Sequence, residues 1–156
     1  MNIYFYNYPI GKVGIADNGN AICGIGFWDG NAPRDYTLQE TLLIRQCHTE
    51  LTEYFNGSRK AFDVPLYFKG TDFQKKVWQA LIDIPYGHIK SYKDVAELVG
   101  CPKGFRAVGL ANNKNPIAII AACHRVVGHD RKKLVGYAGG LGIKQALLEL
   151  EQKYKN

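Results

Sequence analysis

Ser91-Tyr92-Lys93-Asp94-Val95-Ala96-Glu97-Leu98-Val99-Gly100-Cys101-Pro102-Lys103-Gly104-Phe105-Arg106-Ala107-Val108-Gly109 reads as two short helices on either side of a tight turn. Ser91 and Asp94 have the spacing of a capping box, in which a hydroxyl and a carboxylate three residues on satisfy the first N–H groups of a helix. Gly100 stops the first helix after Leu98, Cys101-Pro102-Lys103-Gly104 makes the turn, and a second helix is expected from Phe105 to about Asn112. Two helices joined in this way form the helix-turn-helix pattern. Packed helix pairs also occur in proteins that bind no DNA, so the pattern gains weight from its setting.

That setting is basic. Residues 1–69 carry 6 Lys+Arg against 7 Asp+Glu, whereas residues 70–156 carry 14 against 7, so the second part holds all of the net charge of +6. A solvated basic face would account for some of this, but so complete a segregation favours a polyanionic partner, nucleic acid first. Upstream of the helix pair, Thr71-Asp72-Phe73-Gln74 is another capping box. It precedes the apolar positions Phe73, Val77 and Leu81 of a helix reaching about Asp83, and Pro85-Tyr86-Gly87 is a turn.

Downstream of Asn115-Pro116, the run Ile119-Ile120-Ala121-Ala122-Cys123-His124-Arg125-Val126-Val127 is expected to be a buried strand that stops at chemically active side chains. Cys123 is read as a nucleophile beside a base. The alternative is a packed cysteine, since free cysteine is among the most buried residue types. A basic segment follows at His129-Asp130-Arg131-Lys132-Lys133, then Gly136-Tyr137-Ala138-Gly139-Gly140, where glycine permits close backbone approach. Lys144 to Tyr154 is expected to be a final helix, with Glu151 in its last turns.

The first part reads as a small α/β domain. Asn2–Tyr8, Lys12–Ala16 and Ala21–Phe27 are expected strands, with Asp17-Asn18-Gly19-Asn20 a hairpin turn because Asn-Gly readily supplies positive φ. A helix is expected over Thr37–Phe55, with Leu38, Leu42, Leu51 and Phe55 near one stripe and Asn56-Gly57 as its stop. Phe62–Phe68 is a short extended piece with Pro65 at an edge. Cys47 and His48 are assigned to packing or surface.

A chain of 156 residues with 46% hydrophobic residues suits one domain or two small ones. No apolar run spans a bilayer, and Met-Asn-Ile-Tyr-Phe-Tyr-Asn lacks the character of a signal peptide, so a cytoplasmic protein is expected. Cys23, Cys47, Cys101 and Cys123 form no Cys-x-x-Cys pair, and neither disulfides nor a structural zinc site is expected.

With these residues in view, the second part resembles the O6-alkylguanine-DNA alkyltransferases, which are self-inactivating DNA repair proteins. The likeness spans about residues 70–151 and lies in ordered motifs: Pro85-Tyr86-Gly87, Ser91-Tyr92, Arg106-Ala107-Val108-Gly109, Asn115-Pro116, Cys123-His124-Arg125-Val126-Val127 and Tyr137-Ala138-Gly139-Gly140-Leu141. The resemblance implies a mixed α/β (α+β) architecture: a ribonuclease-H-like domain over 1–69 and a winged-helix-like DNA-binding and alkyl-acceptor domain over 70–156. It implies that Cys123 takes the alkyl group irreversibly from O6-alkylguanine, with O4-methylthymine a second candidate. His124 would take the thiol proton through a water, and Glu151 would orient His124. Arg106 would enter the base stack after flipping, Tyr92 and Tyr137 would contact the base, and the backbone of Val126 and Ala138 would read its edge. Asn115 would hold the active-site turn. Double-stranded DNA is the implied partner and a monomer the implied state, with no cofactor and no metal.

The chain departs from the family pattern at Ala122, where proline is usual, and at Ala138, where serine is frequent. A backbone role survives the second change, while the first loosens φ beside the nucleophile. Two other functions fit parts of the sequence. One is a module that recognises alkylated DNA without transfer. The other is a cysteine hydrolase, which would need an oxyanion hole and would leave the basic helix pair without a purpose.

Overall fold

The computed structural model describes residues 1–28, 31–128, 137 and 140–155. Its elements fall into two compact units, Met1–Phe68 and Lys69–Asn156. The first is a sheet with one helix and the second is mostly helical, a mixed α/β architecture as expected.

In the first unit β1 (Asn2–Tyr8) and β2 (Gly11–Asp17) pair antiparallel, with Asn2 opposite Asp17 and Tyr8 opposite Gly11. The β2–β3 hairpin turns through Asn18–Ala21, with β3 over Ile22–Gly26. Gly19 takes φ +97° there, and Asn18 Oδ1 accepts from the Asn20 and Ala21 N–H groups. Sheet order is β3-β2-β1-β4, where β4 is the pair Thr37–Leu38 lying parallel to β1. Trp28 covers β2 so closely at Gly14 that a Cβ there would sit 2.3 Å from the indole.

Two sequence expectations are corrected in this unit. Helix α1 spans Leu42–Phe55, capped by Thr41, and Thr37–Leu38 belongs to the sheet edge instead. Its buried stripe is Ile44, Cys47, Leu51 and Tyr54, while Leu38 and Leu42 are exposed. Leu51 keeps its expected place, and Ile44, Cys47 and Tyr54 complete the buried apolar face of a helix that starts at its Thr41 cap. Asp17 fixes that start, accepting from Asn2 Nδ2 and from Thr41 Oγ1. Cys47 is core, and His48 stacks on Tyr6 with ring centroids 3.8 Å apart.

In the second unit α2 (Asp72–Ile82), α3 (Tyr92–Leu98) and α4 (Phe105–Asn113) pack together. Both expected capping boxes form, Thr71 with Gln74 and Ser91 with Asp94. The α3–α4 turn passes Gly100 at φ +78°, and a Cβ on Gly104 would meet Cys101 Sγ at 2.6 Å. Trp78 Nε1 donates to Ala111 O at 2.8 Å, tying α2 to the end of α4. The strands β5 (Lys90–Ser91) and β6 (Val126–Val127) pair in parallel. The last helix, α5, spans Leu141–Lys153, beginning three residues before the expected Lys144.

Candidate active site

Cys123 opens a single turn of 3-10 helix, Cys123–Arg125, that runs straight into β6. The approach to it is two reversals, not the strand expected from Ile119. Ala118 O accepts from Ile120 N at 2.9 Å around Ile119, whose φ is +73°. Ala121 O then accepts from Cys123 N at 2.8 Å around Ala122, which sits at φ −79° and ψ 66°. The second is an inverse γ-turn, a comfortable bend, whereas a positive-φ turn on a β-branched residue is strained. The strain is held by Asn115, whose Nδ2 donates to Ala121 O at 2.7 Å and whose Oδ1 accepts from Ile117 N at 3.0 Å. Every residue from Ile117 to Val127 is buried, which is why the run is apolar without being a strand.

His124 is fully buried, and its Nε2 lies 2.6 Å from Glu151 Oε2. Its Nδ1 is buried and has no hydrogen-bond partner among the described residues. Burial holds the imidazole below its ordinary pKa against the opposing pull of Glu151. For Glu151 burial works upward, but hydrogen bonds from His124 and Arg125 outweigh it and hold the carboxyl well below the usual range. Burial also pushes the Cys123 thiol up, and the hydrogen bond of Asn115, the Lys144 cation and Tyr137 pull it back only in part. The resting pair near neutral pH is thus a thiol and a neutral imidazole.

The other expected site residues are distributed around this centre. Tyr92 begins α3, half-buried, where burial and neighbouring Cys123 push its hydroxyl up. Arg106 is exposed in the first turn of α4, beside exposed Phe105. Val126 is buried, its N–H donating to Cys123 O and its carbonyl accepting from Lys144 Nζ. That carbonyl keeps a second lone pair. Tyr137 stands close enough to Cys123 to be raised by it, after burial. Ala138 lies outside the described residues, as do His129–Gly136 and Gly139. No group of three or more His, Cys, Asp or Glu side chains suited to a metal occurs among the described residues.

The comparisons with known proteins bear on the whole chain. The model of the 6-O-methylguanine DNA methyltransferase DNA binding domain matches residues 72–153, and that of the ribonuclease-like domain of the same protein matches residues 1–68. The chain belongs to the 6-O-methylguanine DNA methyltransferase family. It is 47% identical to a methylated-DNA–protein-cysteine methyltransferase of Methanosarcina barkeri over 92% of each chain. It is 43% identical to the protein of that name from Mycobacterium tuberculosis, over 92% of this chain and 88% of the other. Among solved structures, Mycobacterium tuberculosis OGT in complex with DNA superposes with a TM-score of 0.92 at 41% identity, covering 99% of this chain and 94% of that one.

Two residues of this methyltransferase-family site had no role in the sequence reading. Arg125 is buried and bound to Glu151 through Nε at 2.8 Å and Nη2 at 3.0 Å. Lys144 is fully buried on α5, with its Nζ 5.9 Å from the centre of the Tyr92 ring. A signal for both was present. Lys144, Leu147 and Glu151 share the i, i+3, i+7 spacing of one helix face, and all three are buried there.

Proposed function

We propose that this chain removes the alkyl group from O6-alkylguanine in double-stranded DNA and keeps it on Cys123, one turnover per molecule. The observation that carries this reading is the buried file Cys123, His124 and Glu151, in which His124 Nε2 meets the carboxylate and Nδ1 is left to accept a proton. A base inside a duplex cannot reach a buried thiol, so the nucleotide is flipped out, with Arg106 on the exposed face of α4 taking its place in the stack. The Cys123 proton passes to His124 Nδ1, directly or through a water. The thiolate attacks the alkyl carbon in line, an S–C bond forms, and the C–O6 bond breaks with its electron pair going to the base. Guanine then takes up one proton, which balances the one lost by the thiol.

Burial keeps Cys123 protonated at rest, which supports a nucleophile spent only once the base has arrived. Tyr92, Tyr137 and the backbone of Val126 and Ala138 are the groups assigned to the flipped base, and Asn115 to the turn that carries Cys123. A monomer acting in the cytoplasm without a cofactor completes this reading. Among the described residues no helix is long and apolar enough to cross a membrane.

The test is incubation with duplex DNA carrying one O6-methylguanine, followed by intact-protein mass and peptide mapping. The expected result is one added CH2 unit on Cys123, with Cys123→Ser retaining DNA affinity and gaining none. A methyl group found on Cys23, Cys47 or Cys101, or DNA binding with no added mass, would overturn the proposal.

A further inference from the structure

Glu151 has more partners than the orientation of one histidine requires. Its Oε1 accepts from Arg125 Nε at 2.8 Å and Gly87 N at 3.1 Å, and its Oε2 from Arg125 Nη2 at 3.0 Å and His124 Nε2 at 2.6 Å. A carboxylate offers about four lone-pair positions, and N–H groups occupy all of them. Three of those N–H groups belong to groups that can only donate, so an added carboxyl proton would be forced against a donor. Arg125 is itself anchored, with Nη1 donating to Ile84 O at 2.6 Å and its guanidinium carbon 5.6 Å from the centre of the Tyr86 ring. Its fork sets the guanidinium charge against both oxygens of Glu151 in a planar, two-bonded geometry.

The consequence falls on His124. A buried carboxylate 2.6 Å from an imidazole, with no other cation, would draw a proton onto the ring, and an imidazolium has no lone pair left for the thiol proton. A carboxylate already neutralised by Arg125 exerts no such demand, yet still accepts from Nε2. Building on the alkyl-transfer reading above, we infer that Arg125 is a positioning residue of that reaction. It holds Glu151 as a carboxylate, so that His124 rests neutral with its proton on Nε2 and Nδ1 open to the proton of Cys123.

The remaining groups around the pair act in the same direction or not at all. Lys144 faces His124 from α5 and, like Arg125, disfavours a charged ring. Cys123 is a neutral thiol at rest, and Tyr86, beside Arg125 and Glu151, is kept a neutral phenol by burial. A thiol beside a neutral imidazole is also protected from stray electrophiles, as a protein spent by a single alkylation requires.

The experiment reads the ring directly in 15N-labelled protein, by long-range 1H–15N correlation between pH 5.5 and 8, with His124 assigned by its loss in His124→Asn. Wild type should show a neutral ring protonated on Nε2 at pH 7. A cationic ring there, or the Nδ1-protonated tautomer, would overturn the inference. Folded Arg125→Met should show a cationic ring at pH 7. Its Cys123 should react with iodoacetamide at pH 6 about tenfold faster than in wild type, the change that one unit of thiol acidity brings. Arg125→Lys, which keeps the charge, should restore the neutral ring. A purely structural Arg125 would instead give slower reaction at every pH with His124 unchanged, and that result in folded Arg125→Met would also overturn the inference. Should Arg125→Met fail to fold, the wild-type and Arg125→Lys spectra decide, and a cationic ring in either counts against it. Methyl uptake by wild type is scored separately. Uptake with a cationic His124 sinks only this inference, while a neutral Nε2-protonated ring without uptake sinks only the transfer reading.

Discussion

Lys144 and Glu151 lie two turns apart on the buried side of α5 and grip opposite ends of one short segment, Lys144 through Val126 O and Glu151 through His124 and Arg125. Neither is more than 1% exposed. Buried charges of this kind are commonly matched or bettered in stability by apolar side chains of similar volume. Their place on a core-facing helix stripe is therefore better explained by the chemistry of the adjoining Cys123 than by folding.

Acid should destabilise the protein in two steps. Burial holds His124 below its ordinary value, so below about pH 6.5 the unfolded chain binds a proton that the folded one refuses. Burial alone would raise Glu151, but its hydrogen bonds from His124 and Arg125 lower it further. Below about pH 4.3 the unfolded chain again binds the extra proton. Stability rises with pH wherever the unfolded state holds more protons, so it is lost as pH is lowered through each window. Glu151→Gln should lose the lower step and be less stable at pH 7 by about 3–5 kcal/mol, because Arg125 is left without its counter-charge. Urea titrations at pH 7, 5.5 and 4 check this, and an unchanged lower step in Glu151→Gln would place it on another carboxylate.

Lys144→Met should separate stability from activity. Burial lowers the ammonium to about 8, against about 10.4 in an unfolded chain. Between those values the unfolded state binds more protons, so wild type should gain stability as pH rises through that window. The variant should lack the gain and be at least as stable as wild type at pH 7. Transfer should slow roughly tenfold, the effect of about one unit in thiol acidity, because Cys123 loses a nearby cation. A variant destabilised at pH 7 with an unchanged transfer rate would make Lys144 a packing residue.

What was legible in the sequence follows from how locally each feature is encoded. The Thr71 and Ser91 caps and the Asn18-Gly19 turn depend on side chains a few residues apart, and all three form as expected. The start of α1 depended on a sheet edge that only two residues of Thr37–Leu38 make, and no local spacing announces that. Ile119–Ala122 misled because burial demands apolar residues equally of a strand and of a pair of turns, and what turns the chain is Asn115, several residues earlier. Cys123 is legible as a nucleophile from its own run, where an apolar stretch stops at a Cys-His-Arg step, while the roles of His124 and Glu151 come through the family resemblance. Arg125 and Lys144 were passed over because lone basic side chains belong by default in solvent.

Arg106→Ala should distinguish base flipping from chemistry. The side chain is exposed on α4 and is needed only where a nucleotide must leave a stack. Repair of duplex O6-methylguanine should fall by at least tenfold, while reaction with a free O6-alkylguanine base stays within about twofold of wild type. Both are read from the rate of mass gain at Cys123. Equal slowing on the two substrates would move Arg106 into the pocket or the fold.

Ala122→Pro tests whether the bend before Cys123 is already set without proline. Ala122 lies at φ −79°, within the range of about −65 ± 15° that a pyrrolidine ring imposes. The hydrogen bond that closes its turn runs from Cys123 N to Ala121 O and so does not use the Ala122 N–H. No hydrogen bond from that N–H is found among the described residues. Proline should therefore remove freedom from the unfolded chain without breaking a native contact, a gain of about 0.4–1 kcal/mol. The opposing risk is overpacking, since Ala122 is fully buried and added ring carbons in a filled core cost about 1–3 kcal/mol. The resemblance to a family in which proline is usual here argues that the space exists. Chemical denaturation should show the variant more stable, with the rate of methyl transfer within about twofold of wild type. Lower stability would mean that this chain has closed around alanine. A faster transfer at equal stability would mean that Cys123 is not yet fully positioned in the alanine form.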